Sequence, residues 1–192
     1  MLHSVKVRPG DIITTSGTGF GSAGINVVTG GVPGWCASHV GIIARYNQQN
    51  ILFESTSVLS DKCLIRGEVV SGVQAHSIDS LLERSGRIWL HRLHRRLFHE
   101  EEIRLTLFLV DLIGRKYDFL GAGRSGVGGP LFRRALSVLK PGDLKNIYCS
   151  ELVSAALNDI GIWSKTEHSI APNPLIYSLR WRGLISRRER RK

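Results

Sequence analysis

The chain has 192 residues, 42% hydrophobic and 22% charged, with a formal net charge of +10. This balance fits one folded domain with its own core and excludes a disordered chain. No apolar run approaches the roughly eighteen residues that a membrane-spanning helix needs. Its three cysteines, widely spaced and without a CxxC pair, exclude a disulfide framework and a structural zinc site.

In chain order, "SVKVRPGDIITTS" predicts a short extended segment, a turn at Pro9-Gly10 and a strand over 12–15. The opening residues lack the pattern of a secretory signal, so cytoplasmic synthesis and a reducing compartment are expected. Residues 16–34 form a Gly-rich connection. "ASHVGIIARY" predicts a buried strand, "NQQN" a turn and "ILFES" the returning strand. "SVLSDKCLIRGEVVSGVQAH" predicts loop and strand. "SIDSLLERSG" predicts a short helix stopped at Gly86, and "RIWLHRL" alternates as a strand.

"HEEEIRLTLFLVDLIG" begins with three Glu at the positive end of a helix and ends at Gly114. After a Gly-rich loop, "LFRRALSVL" predicts a short helix before Pro141. "CSELVSAALNDI" predicts an amphipathic helix capped by Asn146 and ended by Gly161. "IAPNPLIYSLRW" reads as a Pro-rich closing segment. The order of strands and helices predicts an α+β fold with a mainly antiparallel sheet. Residues 1–179 form the domain, followed by a basic tail over 180–192.

That tail, "RWRGLISRRERRK", holds seven Arg or Lys against one Glu. It fits contact with anionic membrane or another polyanion, or a solvating role; no nucleic-acid module accompanies it. "GFGSAG" and "GAGRSG" match a dinucleotide-binding fingerprint, but neither has the strand–turn–helix context and following acid that the chemistry needs. With 21 glycines such matches arise by chance.

Cys149 falls in the first turn of its predicted helix. Free N–H groups and partial positive charge favour a thiolate at such a position and can hold an oxyanion. The alternative is a packed core thiol, since free cysteine is among the most buried residue types. A thiol nucleophile needs a base and a group to orient it. Among seven histidines, His91, His94 and His99 lie in a basic stretch expected to be exposed. His39 heads an apolar strand, where a satisfied core histidine is the other reading. Glu54 is a lone carboxylate ending the next strand. A hairpin through "NQQN" sets Glu54 opposite Ile43, on the face that also carries His39. A register shift of two residues per step preserves that face.

The series "PGDIITTS", "ASHVGII", "ILFEST", "GRKYDF", "YCSELV" and "PNPL" resembles the permuted papain-like hydrolases of the YaeF/YiiX type. These are related to NlpC-type cell-wall peptidases and to lecithin–retinol acyltransferases. The islands span residues 8–176, and the His strand precedes the nucleophile helix. The resemblance implies a circularly permuted papain-like fold, with Cys149 as nucleophile at a helix N-terminus, His39 as general base and Glu54 as its orienting partner. His76 is the alternative third residue. Tyr148 is a pocket-lining candidate. The implied reaction is hydrolysis of an amide bond through a thioester, with no metal or other cofactor, by a monomer acting on cell-wall peptides. A thiol esterase, amidase or acyltransferase acting on ester or amide bonds of lipids is the alternative, and a non-catalytic polyanion- or membrane-binding protein on the same fold is a further one. Cys36 and Cys63 are read as structural.

Overall fold

The computed structural model describes residues 6–16, 37–56, 61–84, 86–116, 147–164 and 171–190. Their elements are β1 (Ile12–Ser16), β2 (His39–Tyr46), β3 (Gln49–Thr56), β4 (Gly72–His76), α1 (Ile78–Arg84), β5 (Arg87–His91), α2 (His99–Asp111), α3 (Cys149–Asp159), α4 (Pro172–Trp181) and β6 (Glu189–Arg190). The strands form one sheet in the order β4-β3-β2-β1-β5-β6, and every pairing is antiparallel. The fold is α+β. The Gly-rich connection after β1, both glycine fingerprints, Cys36 and the helix expected over 131–139 lie outside the described residues.

Alternation along the strands divides the sheet into two faces. Ile12, Val40, Ile42, Phe53, Val73 and Ala75 share one face and pack with residues of α2, α3 and α4. Ile13, Ile43, Leu52, Ile88 and Leu90 share the other, under Leu81 and Leu82 of α1. The β-branched residues of β1, β2 and β3 suit a pleated surface buried on both sides.

The hairpin between β2 and β3 is tighter than the "NQQN" turn predicts. Only Asn47 and Gln48 form it, both at positive φ (47° and 65°), the conformation of a two-residue turn whose twist matches its strands. Tyr46 therefore pairs with Gln49, and Glu54 lies opposite Gly41 instead of Ile43. The shift is two residues along β2, so Glu54 keeps the face that carries His39.

Two expectations for the C-terminal region are corrected. "PNPLIYSLRW" is a helix, because its prolines occupy the first turn, where the missing N–H groups have no intrahelical partner to lose. Residues 180–190 are part of the domain, not a separate tail: Ile185 is buried and bridges to Leu93, and β6 adds to the sheet beside β5.

Candidate active site

The start of β2, the end of β3 and the start of α3 converge at one end of the sheet. Consecutive residues of β3 serve both of its faces. Glu54 points to the face shared with His39. Ser55 points to the other and donates its hydroxyl proton to the carbonyl oxygen of Ile147, two residues before Cys149. The amide of Ile147 bonds in turn to the carbonyl of Lys116 at 2.9 Å. The segment entering α3 is thus fixed to the sheet on one side and to the residues after α2 on the other.

Cys149 is the first residue of α3, with Tyr148 in the N-cap position. The expected cap at Asn146 is corrected accordingly. The Glu151 carboxylate accepts a bond from the Tyr148 amide at 3.4 Å. The Cys149 amide lies among the first N–H groups of the helix, which intrahelical bonding leaves open. Cys149 is 4% exposed. Tyr148, at the N-cap, is 1% exposed and packs into the main core.

The His39 ring is 21% exposed, and its Nε2 donates to the Glu54 Oε2 at 2.7 Å. His39 also shares a side-chain hydrogen bond with Cys149. With Nε2 engaged by the carboxylate, Nδ1 is left for the sulfur. Burial alone pulls the His39 pKa down. The charge and hydrogen bond of Cys149, followed by those of Glu54, outweigh it and push the value up to about 10. The arrangement is a protonated imidazole held between the Cys149 sulfur and the Glu54 carboxylate.

Glu54 is 2% exposed, between Gly41 on one side and Gln74 on the other. A Cβ at position 41 would stand 2.7 Å from Leu52 Cδ1 and 2.8 Å from the Phe53 carbonyl oxygen, so only glycine fits where β2 passes Glu54. His76 lies behind the carboxylate, its Nε2 3.8 Å from Glu54 Oε1. Of the two candidates for a third residue, Glu54 is the one bonded to His39, and His76 approaches from the far side.

Asn173 was missed by sequence reasoning. Its Oδ1 accepts from the Ala37 amide at 2.9 Å and its Nδ2 donates to the Ala37 carbonyl at 3.1 Å. One amide side chain thereby fixes the backbone two residues before His39. The "PNPL" motif was the available signal. His91 was expected to be exposed and is 2% exposed, its Nε2 3.0 Å from the Thr14 hydroxyl. A cavity of about 630 Å³ lies beside this pair, lined by Trp89, Ile176, Arg180, Arg187 and Arg188 and reaching Ala37 and Asn173. Cys63 is buried, and its sulfur accepts from the Ala75 amide at 3.4 Å.

The fold is similar to that of YiiX. A crystal structure of this metalloprotein (DUF1105) from Escherichia coli O157:H7 matches with a TM-score of 0.54 over 80% of this chain, at 18% sequence identity. The match covers 66% of that protein, so this chain spans just under two thirds of YiiX. No family model matches the chain, and no curated protein matches it. Among the described residues, no group of three or more His, Cys, Asp or Glu side chains is placed to hold a metal ion.

Proposed function

We propose that this protein is a thiol hydrolase of the permuted papain-like type, cleaving an acyl bond through a thioester intermediate. The observation that carries the reading is His39 bonded at once to Cys149 and to Glu54. The Cys149 sulfur attacks the acyl carbon and forms the C–S bond. The carbonyl electron pair moves to oxygen, where the Cys149 amide at the helix start is a candidate donor. As the tetrahedral intermediate collapses, His39 gives its proton to the departing amine or alcohol. His39, now neutral, takes a proton from water as that water attacks the thioester. The tetrahedral intermediate then collapses with the sulfur as leaving group, the acid is released and His39 keeps the proton, so that the starting state is restored. Glu54 keeps the imidazole oriented throughout and favours its charged form. YiiX is called a metalloprotein, but among the described residues of this chain no set of His, Cys, Asp or Glu side chains fits a metal ion.

Amide bonds of cell-wall peptides are the leading substrates on this reading. Lipid acyl bonds are the second, favoured by the cavity beside Ala37 with its arginine and aromatic lining. The test is incubation with defined cell-wall fragments and with phospholipids, followed by mass spectrometry, with Cys149→Ala as control. Products from one class that vanish in the variant select that class. If no product depends on Cys149, and its alkylation is no faster than in denatured protein, the hydrolase reading fails and a binding role on the same fold takes its place.

A further inference from the structure

The C-terminal end of α4 presents large aromatic groups to solvent. Trp181 is 91% exposed and Tyr177, one helical turn earlier, is 66% exposed. The same helix buries Leu175, Ile176 and Leu179, so its apolar contact with the core is complete without them. Positive charge lies next to the pair, Trp181 being flanked in sequence by Arg180 and Arg182. Arg180, Arg187 and Arg188 line the cavity beside Tyr177, and Arg182 lies over the buried Trp163 ring at 5.1 Å. Arg180, Arg182 and Arg187 form no ion pair among the described residues. Exposed aromatics next to arginines match the water–lipid boundary: the rings enter the headgroup layer while the guanidiniums meet anionic headgroups. A nucleic acid would use the charge but would give the apolar lining of the cavity, from Trp89 and Ile176, no role.

We propose that this face, formed by Tyr177, Trp181 and the arginines at 180, 182, 187 and 188, docks on an anionic lipid bilayer. The cavity that Arg180, Arg187 and Arg188 line also takes in Ala37, two residues before His39. The proposal does not depend on the reaction proposed above, because docking requires no chemistry at Cys149.

The test is co-sedimentation of the full chain carrying Cys149→Ala with vesicles of phosphatidylcholine alone or mixed with phosphatidylglycerol. Binding is expected to the mixed vesicles only, to weaken as salt is added, and to be accompanied by a blue shift of tryptophan fluorescence. Trp181→Ala should weaken partitioning about tenfold and remove most of the blue shift. The double variant Arg187→Gln/Arg188→Gln should weaken it on the order of twentyfold. Circular dichroism shows whether each variant keeps its fold, and Trp181→Ala, which removes an exposed ring, is the variant expected to keep it. The proposal is overturned if both vesicle types bind equally or neither binds. It is also overturned if folded Trp181→Ala partitions like the parent, or if duplex DNA binds more tightly than the mixed vesicles.

Discussion

Two histidines of the same sheet, His39 with its ring 21% exposed and His91 buried, are driven to different charge states. His39, at the start of β2, is pushed up to about 10, while His91, at the end of β5, is pulled down to about 4. Burial acts in the same direction on both, against the charged form. At His39 it is outweighed by Cys149 and Glu54. At His91 it is reinforced by Arg180 and Arg188, with only the backbone of Ser186 opposing. The neighbours brought in by other elements thus decide whether an imidazole in this sheet can give up a proton near neutral pH or stays neutral as a hydrogen-bonding core residue.

The most severe way to break the contrast is Glu54→Gln, which keeps the shape and removes the charge. Turnover should fall about a hundredfold or more. The His39 titration should move to lower pH and carry the alkaline limb of the activity profile with it. His39 has a folded pKa above its ordinary value of 6.5. Its contribution to stability is therefore complete below 6.5 and lost as pH rises through about 10. An unchanged His39 titration in the Gln variant would remove Glu54 from the account.

His91 predicts the reverse dependence. Its neutral form is the folded one, so stability should decline as pH falls from 6.5 toward 4, by up to about 3 kcal/mol. Urea unfolding across that range should show the decline in the parent and a shallower one in His91→Gln. Equal slopes would contradict it. Gly41→Ala should cost about 1–3 kcal/mol by overpacking against Leu52 and the Phe53 carbonyl, and should lower activity by displacing Glu54. Thermal unfolding with the profile of the parent would show that the space is less constrained than the geometry states. Asn173→Ala should have the smallest effect, about 1 kcal/mol, with faster hydrogen exchange at the Ala37 amide. Unaltered exchange there would contradict its role as a clamp.

Much of the fold was legible because hydrophobic alternation and helical spacing are local signals. β1, β2, β3 and α3 stand close to where these signals put them. The face shared by His39 and Glu54 was legible too, because a register shift of two residues cannot alter it. The register itself was not, since it depends on Asn47 and Gln48 adopting left-handed conformations that glycine usually supplies. Prolines hid α4, because a proline in the first turn of a helix resembles one in a loop. Ser55 and Asn173 were missed for a different reason. Each acts on the backbone of a distant segment, Ile147 and Ala37, and no local pattern marks such a contact. His91 was misplaced for the same reason in reverse. Its basic sequence neighbours suggested solvent, but strand alternation turns its ring inward to Thr14.

The central claim is that Cys149, together with Glu54, holds the His39 imidazole in its charged form. It is tested most directly by following the His39 ring through a pH titration by NMR, in the parent and in Cys149→Ala. The account predicts a parent imidazole that stays protonated up to about pH 10, and a clear fall in that value once the sulfur is removed. A His39 that titrates near its ordinary value of 6.5 in both proteins would contradict it.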